Sequence, residues 1–344
     1  MKEQSEKEIS QRLKNGKLDL PLLSELLVKY TQTGGCILQG AQLGEDAAVV
    51  ELPDRCLVIK TDPITFATDA IGAYAVWVNA NDVVCMGADP KWFLASILLA
   101  EGSTKSDAER IFADIARVCR AEGIVYCGGH TEVTAGLDRP IVVGQMIGEA
   151  ARENILLKKN IKVGDVLLLI KGVPIEAVSI IAREKGKELE PAFGGEFIER
   201  CRNFLYDPGI SIIAAARTAL AAGRVHALHD PTEGGVATAV HEMAAAAGLG
   251  AVVYREKVPI WPEGKLLCDH FGLDPLGTLA SGALLAAVPA QSVDAIARAF
   301  RIRGIPTAEI GRMTPPDEGI VLIENNLRLP LPVFAQDEIL KVFV

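Results

Sequence analysis

The chain has 344 residues, which fits two domains of about 100–200 residues each better than one. Hydrophobic residues make up 49% and aromatics only 5%, so two cores can be filled, built mainly from Ala, Val, Leu and Ile. A formal charge of −9 repels phosphate backbones and disfavours nucleic-acid binding.

The opening thirty residues read as helical with an interruption at Gly16. Leu22, Leu23, Leu26 and Leu27 recur at helix spacing, and Pro21 suits a first turn. A glycine-rich connection follows from Gly34 to Gly44; it reads either as a lid over a ligand or as a linker. Strands are expected at Ala47–Glu51 and Cys56–Lys60, joined by a Pro-Asp turn. Residues 71–86 predict a buried helix ending at Gly87, and Trp92–Ala100 a strand. The pattern at 106–122 predicts a helix capped by Ser106, boxed by Glu109 and stopped by Gly123. The strand Ile124–Cys127 should run into a Gly-Gly turn, and Ile141–Gly148 is a further strand.

The polar stretch 150–160 is taken as the boundary between a domain over 1–155 and one over 156–344. The second half predicts strands at Val166–Lys171, Val225–Leu228, Ala283–Val288 and Ile320–Ile323. Helices are expected at 211–222, 234–247 and 292–301, and 184–203 stays a charged, mixed segment. Strands and helices mix in both halves, so the fold class is α/β or α+β.

Seven cysteines are scattered without a Cys-x-x-Cys pair or zinc spacing, which suits buried thiols in a reducing compartment. The polar N-terminus lacks the apolar run of a secretory signal. No apolar run reaches the roughly 18 residues that span a bilayer. The expectation is a cytoplasmic protein with no membrane partner.

Four aspartates sit where apolar structure begins or ends: Asp46 in GEDAAVV, Asp62 in VIKTDP, Asp82 in VNANDVVCMGA and Asp230 in HALHDPTEGG. Asp82 carries the strongest physical argument. At helical spacing its neighbours are Ala75, Val78, Cys85 and Met86, so an ionised carboxylate there needs a divalent cation or a basic side chain. Magnesium is usually held by a few carboxylates together with substrate phosphates. Each of the others also has a plainer reading: Asp62 starts a turn before Pro63, Asp230 caps a helix, and Asp46 is a solvated loop residue.

Gly128-Gly129-His130-Thr131 follows a strand, where exposed N–H groups could take phosphate oxygens or simply form a tight turn. Gly234-Gly235 opens a helix whose N-terminus would favour an anion, although Glu233 beside it adds negative charge. Lys60, two residues before Asp62 on a strand, faces either a phosphate or a salt-bridge partner. His226, His229 and His241 do not form a zinc pattern, and Cys36 is a weak nucleophile candidate.

Taken in order, GEDAAVV, the TD of VIKTDP, NDVVCMGADP, CGGHTEV and HDPTEGGVATAV resemble one superfamily. It comprises aminoimidazole ribonucleotide (AIR) synthetase, selenophosphate synthetase, thiamine monophosphate kinase and the hydrogenase maturation dehydratase. The resemblance covers about residues 40–325. It implies an AIR synthetase-like fold in two parts: an N-terminal domain whose strands join a second subunit's in a dimeric β-barrel, and a C-terminal α/β domain. It implies ATP in the cleft between them, Asp46, Asp62, Asp82 and Asp230 as magnesium ligands, and Gly128, Gly129, His130 and Thr131 beside the phosphates. HDPTEGGVATAVHEMA and LASGALLAAV are most similar to the hydrogenase maturation dehydratase, which uses ATP to dehydrate a thiocarboxamide on its own C-terminal cysteine.

Two departures qualify that likeness. The sequence ends EILKVFV with Cys268 as its last cysteine, so that reaction is not expected. Glu233 stands where the motif usually has Arg, removing a basic phosphate contact. The expected function is ATP-Mg binding with phosphoryl transfer to a small amide-like or other oxygen acceptor, as a homodimer. The alternatives are a thiamine monophosphate kinase-like enzyme and a non-catalytic nucleotide-binding accessory in metalloenzyme maturation. No catalytic base is assigned.

Overall fold

Each half of the chain builds its own sheet. The computed structural model describes residue 13 and residues 16–32, 34–42 and 44–343; most of the helix expected over the first fifteen residues lies outside this range. The first half contains α1 (Leu20–Tyr30), β1 (Ile37–Gln39), β2 (Ala48–Glu51), β3 (Cys56–Ile64), α2 (Ile71–Cys85), β4 (Asp89–Ala100), α3 (Lys105–Glu122), β5 (Val125–Thr134) and β6 (Ile141–Ala150). Its sheet runs β1-β2-β3-β6-β4-β5. Only the β4–β5 pair is parallel, because α3 carries the chain back across the sheet between them.

All fifteen residues of α2 are buried. Such a helix has no solvent face to solvate a charge, so its polar residues must all find partners. Asn79 and Asn81 do so through backbone groups. Asn79 Oδ1 accepts from Asp62 N at 2.8 Å, and its Nδ2 donates to Ala75 O at 2.9 Å. Asn81 Nδ2 donates to Ile210 O at 2.9 Å and its Oδ1 accepts from Ile212 N at 3.0 Å. These last two bonds fasten α2 to the second half of the chain.

That half contains β7 (Val166–Ile170), α4 (Ile175–Glu184), α5 (Gly186–Phe193), α6 (Gly195–Asn203), α7 (Ile213–Ala222), β8 (Ala227–His229), α8 (Gly235–Ala247), β9 (Gly250–Tyr254), α9 (Pro262–Phe271), β10 (Leu284–Val288), α10 (Ala290–Arg301), β11 (Thr307–Thr314), β12 (Ile320–Glu324) and β13 (Leu327–Pro330). The sheet order is β13-β12-β9-β11-β7-β10-β8, antiparallel except for β12 against β9. One apolar core runs from α2 through α4 and α7, so the halves share buried surface.

Several expectations change. The cap of α3 is Thr104, not Ser106. Its hydroxyl accepts from Asp107 N at 3.3 Å while Asp107 Oδ2 accepts from Thr104 N at 2.8 Å, a reciprocal box that starts the helix earlier. The Gly34–Gly44 connection contains a strand, β1, paired with β2. The polar stretch 150–160 is packed rather than free: Ile155, Leu157 and Lys158 are buried. Residues 184–203 form helices, and α4, α9, β9, β11 and β13 are elements that the sequence reading does not contain.

Gly128 and Gly129 lie inside β5 rather than in a turn. A Cβ on Gly129 would sit 1.9 Å from Ala95 O, so glycine here permits close strand approach at a bulge in the β4–β5 ladder. Among the described residues, no helix is long and apolar enough to cross a membrane.

Candidate active site

Asp46 ends the loop before β2, Asp62 lies on β3, Asp82 projects from α2, and Asp230 follows β8. Distant in sequence, these four line one cavity of about 300 Å3 between the two sheets, together with Lys17, Lys60, His229, Thr232 and Glu242. Asp46, Asp82 and Asp230 are buried; Asp62 is partly open, its side chain 34% exposed.

Asp46 is held from both sides. Its Oδ1 lies 2.6 Å from His229 Nδ1, and its Oδ2 accepts from Lys158 Nζ at 2.6 Å. Burial alone would raise its pKa, but His229 and Lys158 together pull it well below the usual carboxylate range. The other ring nitrogen of His229, Nε2, meets Glu242 Oε2 at 2.9 Å. Burial opposes the imidazolium, yet Asp46 and Glu242 raise its pKa. Lys158, 2% exposed, also donates its backbone N–H to Glu45 Oε1 at 3.1 Å.

Lys60 Nζ sits 3.3 Å from Asp62 Oδ2 and 3.4 Å from Asp82 Oδ2, so Lys60 and Asp62 do share a face of β3. One cation therefore serves two carboxylates. Asp82 Oδ2 and Asp230 Oδ2 are both buried without a hydrogen-bond partner among the described residues. Among the described residues, Asp230 Oδ1 meets only the weak donor Cys85 Sγ, at 3.9 Å. Burial first, and then neighbouring carboxylates, push the pKa of Asp82 and of Asp230 well up, with Lys60 opposing.

Unsatisfied buried carboxylate oxygens are costly unless something cationic meets them. The donor set is all oxygen once His229 is discounted. Asp46, His229 and Asp230 each offer a ligand atom within 4.8 Å of the others, but both His229 nitrogens are already engaged. Hard oxygen donors suit magnesium, so the residues present fit that ion.

The other expected contacts separate. Gly128, Gly129, His130 and Thr131 do not line this cavity; they lie on β5 at the edge of the first sheet, where His130 pairs with Glu132 at 2.9 Å. His226 and His229 take different partners, Asp165 and Asp46, and His241 meets Leu331 O. Glu233 pairs with Lys17 at 3.3 Å, and Lys17 Nζ donates to Thr232 Oγ1 at 2.9 Å. A lysine from the N-terminal segment thus brings positive charge to the HDPTEGG turn.

Sequence reasoning did not single out Lys17, Glu45, Lys158 or Glu242, and it weighed His229 only as a zinc ligand. Lys158 sits in a polar stretch that looks solvated, and nothing local marks it as buried. A second cavity of about 600 Å3 adjoins the first, sharing Lys17, Asp62 and Thr232. Its wall includes Phe66, Arg139, Glu176, Ile180 and Ser281.

The sequence matches the AIR synthase related protein N-terminal domain over residues 44–150 and the C-terminal domain of the same family over 162–324. It is 27% identical to a putative hydrogenase expression/formation protein of Methanocaldococcus jannaschii, covering 89% of this chain and 91% of that one. It is 30% identical to the carbamoyl dehydratase HypE of Rhodobacter capsulatus, covering 89% of this chain and 88% of that one. The fold is similar to a crystal structure of the hydrogenase maturation protein HypE in complex with ATP, with a TM-score of 0.65 and 21% identity over 98% of this chain and 96% of that one.

Proposed function

The chain belongs to the AIR synthase related protein family, and from that premise we propose that it binds ATP with magnesium and passes the γ-phosphoryl group to a small amide-like or other oxygen acceptor. The observation that carries this reading is the set of four aspartates in one cavity, two of them with a buried carboxylate oxygen that lacks a hydrogen bond. A relative of the same fold in complex with ATP supports the nucleotide.

In this reading Asp46, Asp62, Asp82 and Asp230 hold the metal. When bound, magnesium neutralises the charge of the phosphates. The protein's own residues do the positioning. Lys158 and His229 fix Asp46 from opposite sides, and Asn79 fixes the backbone of Asp62. Lys60 and Lys17, which both line the cavity, place positive charge where phosphates would lie.

The nucleotide-side role expected of Gly128, Gly129, His130 and Thr131 requires a second copy in this reading. β5 is an edge strand with Val125 and Val133 exposed, which suits pairing with another β5 and the dimeric barrel. Domains over 1–155 and 156–344, a cytoplasmic location and a partner in metalloenzyme maturation complete the reading.

The test is a thermal-shift screen of ATP and ADP, each with and without magnesium, followed by ADP release across amides and phosphorylated metabolites. A magnesium-dependent rise in melting temperature with ATP is expected. No shift with either nucleotide would sink the proposal. Tight binding with no turnover on any acceptor would favour the accessory role, and turnover only on phosphorylated acceptors the kinase-like one.

A further inference from the structure

Glu176 is a buried carboxyl with no assigned task. It sits in the first turn of α4, is 5% exposed, and lines the 600 Å3 cavity that opens onto Asp62 and Thr232. Its hydrogen-bonding neighbour is Ser281, and no lysine or arginine pairs with it among the described residues. A purely packed position would have favoured an apolar side chain, since an unpaired buried carboxyl is costly. The rest of the wall is mixed. Ile64, Phe66 and Ile180 are apolar, and Arg139 and Thr232 are polar. A cavity of this size with a few placed polar groups suits a small molecule.

We infer that Glu176 is the catalytic base on the acceptor side, taking a proton from a primary carboxamide that lies in this chamber as its oxygen attacks ATP. This rests on the reading above. In the step, the amide oxygen bonds to the γ-phosphorus and the bond from that phosphorus to the β,γ-bridging oxygen breaks. ADP leaves, one N–H proton passes to the Glu176 carboxylate, and an O-phosphorylated imidate remains. Without a proton acceptor, the attacking amide would build positive charge on nitrogen inside a closed cavity.

The chemistry of the carboxyl agrees with the task. Burial pushes its pKa up to about 8, Ser281 opposing, with Glu233 and Asp337 adding to the rise. The helix dipole at the start of α4 would favour the carboxylate, and burial outweighs it. Lys17, Arg139, Asp62 and Glu233 are the other charged groups on the chamber wall. A base with a pKa near the working pH is the efficient kind, strong enough to take the proton yet partly ionised.

The experiment compares wild-type protein with Glu176→Gln, using ATP, magnesium and formamide, acetamide or glycinamide, with water as the default acceptor. ADP release is followed from about pH 6 to about pH 9.5, and nucleotide binding by thermal shift. The wild-type rate should climb through about pH 8. Glu176→Gln should lose at least about a hundredfold and flatten the profile, with its nucleotide shift intact. Glu176→Asp, which keeps the acid but withdraws it by one methylene, should be slower with the pH limb retained; it also stands in if the Gln variant fails to fold.

The inference is overturned if Glu176→Gln keeps the wild-type rate or pH limb. It is equally overturned if wild-type protein binds nucleotide yet transfers to neither carboxamide nor water. If the wild type binds no nucleotide, the underlying reading falls and this one with it.

Discussion

Replacing Asp82 by Asn should have opposite consequences with and without Mg-ATP. In the free protein Asp82 is buried in α2, with one oxygen lacking a hydrogen bond and Lys60 shared with Asp62. Burial and the nearby carboxylates hold its pKa well above the ordinary value. The sign follows from linkage. The folded state keeps a proton that the unfolded state gives up, so this group lowers stability as pH rises from about 3.9 through its folded pKa.

Asp230 acts in the same direction. Asp46 acts in the other: its pKa is depressed, so its contribution holds above about 3.9 and is lost only below. Free wild-type protein should therefore gain stability on moving from pH 8 toward about pH 5, and Asp82→Asn should shrink that gain. Replacing a buried acid whose only counter-charge among the described residues, Lys60, is shared with Asp62 should raise the stability of the free protein by roughly 1–3 kcal/mol near neutral pH. Lys60 keeps Asp62 as its partner.

With Mg-ATP the order should reverse. A ligand at about 1,000 times its dissociation constant adds about 4.1 kcal/mol, more than that gain, and the variant should forgo most of it. The assay is differential scanning fluorimetry of both proteins across pH, free and with Mg-ATP. A variant that melts below wild type when free, or that keeps the full Mg-ATP shift, would refute the reasoning.

Lys158→Met should cost about 3–5 kcal/mol in urea denaturation, because it leaves Asp46 and Glu45 buried beside each other without their shared cation; a loss under 1 kcal/mol would count against a structural role. Asn81→Ala removes two buried bonds to the Ile210–Ile212 backbone and should lower stability by about 2–4 kcal/mol, read as a lower urea midpoint at unchanged m-value. Lys17→Ala should behave differently. Its pair with Glu233 is partly exposed, 47% and 33%, so stability should change by about 0–1 kcal/mol. The same variant should weaken ATP binding several-fold by calorimetry, and unchanged affinity would remove Lys17 from the site.

Local signals in the sequence carried much of this protein. The apolar run at 71–86, stopped by Gly87, gave α2 within a residue at its end, because burial on every side leaves no other pattern. The same run made Asp82 conspicuous, since a lone carboxylate among Val and Ala cannot be solvated. The ordered motifs, through the family they resemble, group the four aspartates into one set.

What stayed hidden was long-range. Gly128-Gly129 looks like a turn because a glycine pair signals chain reversal; only its pairing with Leu94 and Ala95 on β4 makes it part of a strand. Lys158 reads as a solvated lysine until Asp46 and Glu45, more than a hundred residues away, close around it. Glu176 lies in an ordinary helix start, and its burial comes from elements that reach it only after folding. The sequence by itself determined that α2 is buried and that Asp82 needs a counter-charge, because those follow from neighbours along the chain. Which cation or histidine answers each carboxylate was decided by tertiary structure alone, because pairing depends on distance in space, which spacing along the chain does not encode.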